Sequence, residues 1–348
     1  MVCSWPSEIM VWVDNDTRNS EVEVGFVPTG GPMPLIDKGR YQILLSMKWK
    51  LNFLNTQNPG VAKGPISPVI ENKEIPQYLA KDKTTLMAEF QQLGSEEAER
   101  VSIKQNEEND WSVTDGVRNK DRNRYINVVP WDKTRVKLKT DNDEESDYIN
   151  ASWVNLLGKD YIAAQAPLNH TIPHFWDMIR QNNVHVVVML TEVDHGCTKY
   201  WSDDDKFELN NESGVECVDV CQVNDHYTIR KFVLNGDYEV YHFHFTTWID
   251  FGSPDASASL TDFVRDVNEK NSLYNDGTGP LLVHCSAGIG RTGTYLAVDA
   301  VLQNGQDQEQ NPDLIFDLVS DMRKQRAGMV QRLEQYVYIH KELKKLYC

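Results

Sequence analysis

Cysteine is scarce in this chain, and none of its six cysteines forms a C-x-x-C pair. That absence removes the usual spacing of a zinc site and gives no sign of a disulfide framework. No uninterrupted apolar run is long enough to span a bilayer, and residues 1–20 lack the charged start and apolar core of a signal peptide. The sequence therefore predicts no membrane span, no metal site and no disulfide scaffold.

Basic residues are also few: 35 Lys and Arg stand against 52 Asp and Glu, a formal net charge of −17. Such a charge argues against general binding to nucleic acid or to anionic membrane surfaces. A site for a phosphate group in this chain must therefore create its own local positive field.

The length of 348 residues, with 40% hydrophobic and 25% charged residues, is enough for one large globular domain plus an extension. Residues 1–70 show no clear helical period, but two β-like runs lie at 21–26 and 41–47. We predict a strand-rich N-terminal extension over residues 1–71 and a catalytic domain over residues 72–348.

The stretch at 280–301 carries the strongest chemical signal. Residues 280–284 form a short apolar run typical of a buried parallel strand, and helical spacing indicates a helix that begins near Arg291 or Thr292. Between strand and helix lie Cys285, Ser286, Ala287, Gly288, Ile289, Gly290 and Arg291.

This loop has the composition of an oxyanion site. Its backbone N–H groups can turn inward in front of a helix N-terminus, and Gly288 and Gly290 allow close approaches that a Cβ would forbid. Arg291 offers a planar fork to two phosphate oxygens. The same field should depress the pKa of Cys285 and make it a nucleophile. The alternative is a buried structural cysteine, the commoner role of a lone cysteine.

The full string HCSAGIGRTG at 284–293 resembles the signature of the classical protein tyrosine phosphatases. The resemblance extends from residue 66 to the C-terminus. It implies an α/β fold of the cysteine phosphatase type, a single large domain with a highly twisted mixed β-sheet flanked by helices. It also implies that Cys285 forms a phosphocysteine intermediate, that Thr292 donates to its sulfur, and that His284 holds the loop backbone. No metal and no cofactor are required.

Two further segments resemble substrate-binding parts of that family. The segment at 119–136 is similar to its phosphotyrosine-recognition loop, in which Tyr125 would line the pocket wall and Asn127 would hold the substrate backbone. A ring at Tyr125 would make the pocket too deep for phosphoserine. The alternative is an arginine-rich solvated loop. The segment at 323–335 resembles the glutamine loop, with Gln331 and Gln335 as its two glutamines; the first would hold the attacking water.

The segment at 247–254 resembles the mobile Trp-Pro-Asp loop. Asp250 would be the general acid and Trp248 a buried hinge. Ile249 replaces the usual proline, and the connection at 191–201 is shorter than in most relatives and lacks a lysine that often contacts this loop. Asp250 could instead be an ordinary surface carboxylate.

The resemblance predicts an enzyme that hydrolyses phosphotyrosine in proteins. One rival is a pseudophosphatase that binds phosphotyrosine proteins with little turnover, which the change at Ile249 motivates. Another is a dual-specificity or phosphoinositide phosphatase, against which the neutral Ala287 and Ile289 argue. A catalytic thiolate favours a reducing compartment, so we expect a cytoplasmic protein, either the intracellular part of a receptor or a soluble form of one.

The strand predicted at 215–223 carries two further cysteines, Cys217 and Cys221. Strict alternation would place both on one face of the strand, too far apart along it to pair, and we expect both in the core.

Overall fold

The computed structural model describes residues 9–12, 23–26, 74–103, 110–140, 145–193, 196–210, 213–248, 259–274 and 279–347. The chain divides into two units, Met1–Pro59 and Gly60–Cys348. In the first unit, strand β1 (Ile9–Trp12) pairs antiparallel with strand β2 (Glu23–Phe26). β2 falls within the β-like run at 21–26, whereas the run at 41–47 lies outside the described residues.

In the described part of the second unit, nine strands form one mixed sheet in the order β3-β4-β5-β11-β6-β10-β9-β8-β7. The strands are β3 (Arg135–Lys137), β4 (Tyr148–Leu156), β5 (Lys159–Ala164), β6 (Val186–Met189), β7 (Phe207–Glu208), β8 (Gly214–Gln222), β9 (Tyr227–Leu234), β10 (Tyr238–Phe245) and β11 (Leu281–His284).

The centre of this sheet is parallel. β11 lies between β5 and β6, and β6 pairs with β10, all in the same direction, whereas the outer pairs are antiparallel. Every residue of β6 and β11 is buried, which explains why both read as continuous apolar runs. Because the carboxyl ends of parallel strands meet at one edge, the segments that follow Met189, Phe245 and His284 are brought together there.

The sheet is flanked by helices, and the predicted fold class is confirmed. The helices are α1 (Lys83–Ile103), α2 (Thr114–Arg118), α3 (Ile172–Gln181), α4 (Leu260–Asn271), α5 (Gly290–Asn304), α6 (Leu314–Gln325) and α7 (Leu333–Lys344). α5 is buried without interruption from Gly290 to Val301, so this stretch has no solvent-exposed face and holds the preceding loop from the interior of the fold. None of the helices in the described ranges is long and apolar enough to cross a membrane.

One expectation about the outer strands is wrong. A bulge interrupts β8 between Cys217 and Asp219, so Cys217 pairs with Phe232 whereas Cys221 pairs with Ile229. Because Phe232 and Ile229 are three residues apart on β9, the two cysteines point to opposite faces. Cys221 is buried, but Cys217 is only half-buried.

Candidate active site

The loop between β11 and α5 lies at the carboxyl edge of the parallel strands. Helix α5 begins at Gly290, one residue before the predicted start, so Arg291 belongs to its first turn. Ile289 occupies the N-cap position and has no polar side chain with which to cap the helix. The first amides of the helix are therefore available to acceptors in the loop.

Cys285 is the main acceptor at this helix end. Its Sγ accepts hydrogen bonds from the Gly288 backbone N–H and the Thr292 hydroxyl, both at 3.3 Å, and the residue is 3% exposed. Burial alone would raise the pKa of the thiol, but the positive charge of Arg291 and hydrogen bonds from Thr292 and the Ile289 amide outweigh burial, and the pKa is lowered. The structure thus brings together the proposed nucleophile, Thr292 and Arg291.

Arg291 is itself buried and anchored at both ends of its guanidinium. Nη1 donates to the Trp248 carbonyl at 3.1 Å, and Nη2 donates to the Thr191 hydroxyl at 3.2 Å. Trp248, 2% exposed, is as buried as expected for a hinge. Ile249 and Asp250 follow it directly in the chain and lie outside the described residues.

The back of the loop is held by Arg326, which sequence reasoning did not identify. Its Nε donates to the Gly288 carbonyl at 2.8 Å and its Nη2 to the Ala287 carbonyl at 3.1 Å. Burial lowers the pKa of Arg326 to about 10, so the guanidinium remains charged at neutral pH. Gly288 has φ +70°, and a Cβ there would lie 2.1 Å from the Ala164 carbonyl oxygen. Only glycine tolerates both the positive φ and the close approach of the Ala164 carbonyl.

A second support acts through His284. Its Nδ1 lies 3.2 Å from the Cys285 carbonyl, and its Nε2 lies 2.8 Å from the Tyr200 hydroxyl, which is also 2.8 Å from His242 Nε2. Burial lowers the pKa of His284 to about 3 and places that of His242 well below its usual value, so both rings are neutral.

The donor in each of these three hydrogen bonds follows from the carbonyl of Cys285. A carbonyl can only accept, so His284 Nδ1 donates, its Nε2 accepts from Tyr200, and Tyr200 accepts from His242 Nε2. His242 Nδ1 is then a bare acceptor, and that atom has no hydrogen-bond partner among the described residues. His284 Nδ1 thus donates to the backbone of the loop at Cys285.

On the open side of the loop, the Tyr125 and Ser286 hydroxyls are 2.8 Å apart, and Tyr125 is 41% exposed. Ser286 is fixed from behind because its carbonyl accepts from the Ala166 N–H at 3.0 Å. Asn127 is exposed on the same loop as Tyr125. The segment at 119–136 and the loop between β11 and α5 are thus in direct contact.

The two glutamines lie beside the first residue of α5. A Cβ on Gly290 would be 3.0 Å from Gln335 Nε2 and 3.4 Å from Gln331 Cβ. Gln335 is buried and its Oε1 accepts from the Arg332 N–H at 3.1 Å, whereas Gln331 is exposed. The residue before it, Val330, has φ +56°, and its N–H donates to the Ile289 carbonyl at 3.1 Å. The segment at 323–335 is thus bound to the loop between β11 and α5 through Val330, whose backbone is strained.

A buried cysteine of lowered pKa, a helix N-terminus and a buried arginine together form a site for thiolate attack on a tetrahedral oxyanion, the chemistry of cysteine-dependent phosphatases. Across the described ranges, no group of three or more His, Cys, Asp or Glu side chains is placed to hold a metal ion.

The comparisons with known proteins agree. The family model for protein-tyrosine phosphatase matches residues 119–345. The chain belongs to the protein-tyrosine phosphatase family.

Among curated relatives, the chain is 39% identical over 251 residues to the receptor-type tyrosine-protein phosphatase zeta of Rattus norvegicus, a match that covers 65% of this chain and 10% of the relative. It is 37% identical over 244 residues to the tyrosine-protein phosphatase non-receptor type 20 of Mus musculus, covering 66% of this chain and 55% of that protein. The chain therefore spans only part of the length of these relatives.

A solved structure, the catalytic domain of human protein tyrosine phosphatase non-receptor type 18, is similar with a TM-score of 0.69 and 29% sequence identity. The match covers 78% of this chain and 99% of that domain. Another structure of the type 18 phosphatase, in complex with HER2 phosphopeptides, matches with a TM-score of 0.68.

Proposed function

We propose that the chain hydrolyses phosphotyrosine in proteins through a phosphocysteine intermediate. The observation that carries the proposal is the environment of Cys285, whose Sγ is 3.3 Å from both the Gly288 amide and the Thr292 hydroxyl and whose pKa is lowered chiefly by Arg291 against the effect of burial. Membership of the family supports the same reaction.

In the first half-reaction, Cys285 Sγ attacks phosphorus in line with the phenolic oxygen. The S–P bond forms as the P–O bond breaks, while the loop amides and Arg291 hold the three equatorial oxygens. Asp250 gives its proton to the leaving phenolate, a step that typically contributes ~10²–10⁴-fold. The role of Asp250 rests on the Thr-Thr-Trp context in the sequence.

In the second half-reaction, water attacks the phosphocysteine. Gln331 holds the water, Asp250 takes its proton, and the S–P bond breaks to regenerate the thiolate and release inorganic phosphate. Thr292 stabilises the departing sulfur through the hydrogen bond that it already makes. The exposure of Gln331 beside Gly290 supports its access to this water.

Substrate binding would rest on Tyr125, Asn127 and Gln335, with Ser286, Ala287, Gly288, Ile289 and Gly290 around the phosphate. We assign residues 72–348 to the catalytic domain and residues 1–71 to an extension. Partners would be phosphotyrosine-containing proteins, and the complex of the type 18 phosphatase with phosphopeptides supports this class. The thiolate needs a reducing compartment, so we place the protein in the cytoplasm.

The first test is replacement of the nucleophile. Cys285→Ser should abolish hydrolysis of a phosphotyrosine peptide but leave peptide binding, because the loop amides and Arg291 remain. Turnover and binding are measured on the same peptide, with phosphoserine and phosphoinositide substrates as controls of specificity. Hydrolysis by Cys285→Ser above trace level would contradict the covalent mechanism, and comparable turnover of phosphoserine would contradict the deep pocket.

The second test separates an enzyme from a pseudophosphatase, the rival that Ile249 favours. Asp250→Ala should reduce turnover of phosphotyrosine by ~10²–10⁴-fold. The loss should be much smaller for aryl phosphates whose leaving groups are acidic and need no proton. Turnover is measured against leaving-group pKa for both proteins. Superimposable slopes would show that Asp250 is not the acid and would favour a binding role.

A further inference from the structure

The residue that follows Leu190 after strand β6 is held on two sides. Thr191 is 2% exposed, its carbonyl accepts from His244 Nε2 at 2.8 Å, and its hydroxyl accepts from Arg291 Nη2 at 3.2 Å. Burial lowers the pKa of His244 to about 4, so its ring is neutral and Nε2 carries the proton that the carbonyl requires. Thr191 thus links His244, which lies on β10, to Arg291.

The short connection after β6 closes around this threonine. A Cβ on Gly196 would lie 2.7 Å from Thr191 Oγ1 and 3.2 Å from Ser286 Cβ. A residue with a side chain at 196 would therefore displace either the threonine hydroxyl or the nucleophile loop. Gly196 lets the backbone pack directly against both, which confines Thr191 Oγ1 to a narrow space in front of Arg291.

The guanidinium of Arg291 gains a defined orientation from its two bonds. Thr191 anchors Nη2, and the Trp248 carbonyl anchors Nη1 at the start of the segment that leads to Asp250. Because the group is planar, anchors on its two terminal nitrogens fix the plane in which its N–H groups point. Bidentate recognition of a phosphoryl group depends on that plane.

We propose that Thr191 is a positioning residue, whose hydroxyl orients Arg291 for the phosphoryl group. This inference deepens the proposed function and rests on it. Valine fills nearly the same volume as threonine but offers no acceptor, so Thr191→Val should leave the packing and remove the bond that Nη2 makes to Thr191. Arg291 would then hold an oxyanion less well although no residue in contact with that oxyanion had changed.

Direct binding of an oxyanion tests the proposal. Tungstate affinity is measured by calorimetry on the unmutated protein, Thr191→Val, Thr191→Ser and a matched control, Thr228→Val. Thr228 is also buried, at 6% exposed, and donates its hydroxyl to Gln222 Oε1 at 2.6 Å on the neighbouring strand. Thr191→Val should bind tungstate about 10-fold more weakly, because Arg291 loses the charged hydrogen bond that orients its guanidinium for the oxyanion. Thr191→Ser and Thr228→Val should bind as the unmutated protein does.

Kinetics with a phosphotyrosine peptide provide a second measurement. Thr191→Val should lower kcat as well as raise KM, since Arg291 acts on the transition state too, and Thr191→Ser should restore both. Absence of turnover by the unmutated protein would contradict the proposed function, while calorimetry would still decide the role of Thr191. Unchanged tungstate affinity in Thr191→Val, or an equal loss in Thr191→Val, Thr191→Ser and Thr228→Val, would overturn the proposal.

Discussion

At the scale of single residues, Tyr125 is held at its hydroxyl while much of the residue remains exposed. Its hydroxyl is bound to Ser286 at 2.8 Å, but 41% of the residue remains accessible. The hydrogen bond sets the angle of the ring, and the free face of the ring is available to stack on a substrate ring.

We therefore expect different effects from two substitutions of Tyr125. Tyr125→Ala removes the stacking surface and should raise KM for a phosphotyrosine peptide by about 10-fold. Tyr125→Phe keeps the ring and should raise KM less, by an amount similar to Ser286→Ala, because each deletes the same hydrogen bond. Steady-state kinetics on the three variants check this. A KM for Tyr125→Ala no higher than that for Tyr125→Phe would show that stacking does not contribute.

Sequence reasoning identified residues that lie within a recognisable motif, including Tyr125, which contacts Ser286 across 161 residues, and missed those that no motif marks. Cys285 and Thr292 are seven residues apart, so a loop and one helical turn suffice to predict their contact. Arg326 contacts the loop across 38 residues, Tyr200 across 84 and Thr191 across 100. Each is an ordinary residue type in its own segment, and only the fold gives it a partner.

At the scale of elements, the backbone that leads out of β10 is anchored at Trp248. Trp248 packs edge-on against Phe245 and contacts Tyr338, and its carbonyl accepts from Arg291. The backbone is therefore held in place directly before Ile249 and Asp250. Isoleucine does not fix φ as proline does.

Replacing Ile249 by proline should consequently preserve or raise kcat without changing how turnover depends on the leaving group. Proline restricts the backbone next to the hinge and leaves the carboxylate of Asp250 unchanged. The measurement is pre-steady-state and steady-state turnover of a phosphotyrosine peptide, with the unmutated protein as reference. A loss of activity in Ile249→Pro would mean that this chain requires a backbone angle that proline forbids.

The bounds of several elements could be predicted because the local signal was complete. β9 and β10 flank Asn235 and Gly236, whose φ values of +54° and +78° suit the two central residues of a hairpin turn closed by the Asp237 N–H and the Leu234 carbonyl. The bulge in β8 could not be predicted, because it arises from pairing with β9 rather than from the residues of β8. Helix α5 begins at Gly290 because the Gly293 N–H already donates to the Ile289 carbonyl.

At the scale of the whole molecule, an acidic chain keeps several histidines uncharged in its interior. Burial lowers the pKa of His284 to about 3 and those of His244 and His340 to about 4, and that of His242 lies well below its usual value. In the unfolded chain each would titrate near 6.5.

Stability should accordingly fall on acidification below pH 6.5. Between that pH and about 4 the unfolded chain binds more protons than the folded one, so the free energy of unfolding decreases as pH falls, by up to about 1.4 kcal/mol per pH unit for each histidine. Denaturant unfolding at several pH values measures the slope. His340→Asn should reduce the slope of the unfolding free energy against pH by the contribution of one histidine, whatever the absolute stability of the variant. An unchanged slope would show that His340 is not buried neutral.

The series of hydrogen bonds from His242 through Tyr200 and His284 to the Cys285 carbonyl has a consequence for the pH dependence of kcat/KM. The pKa of His284 is lowered to about 3 and that of His242 lies well below its usual value, so both rings are neutral near pH 7 and each bond has one possible direction. The pH–rate profile of kcat/KM should then contain, besides the ionisations of the substrate, only an ascending limb from Cys285 and a descending limb from Asp250. These buried histidines therefore position the loop without adding an ionisation of their own to the pH–rate profile.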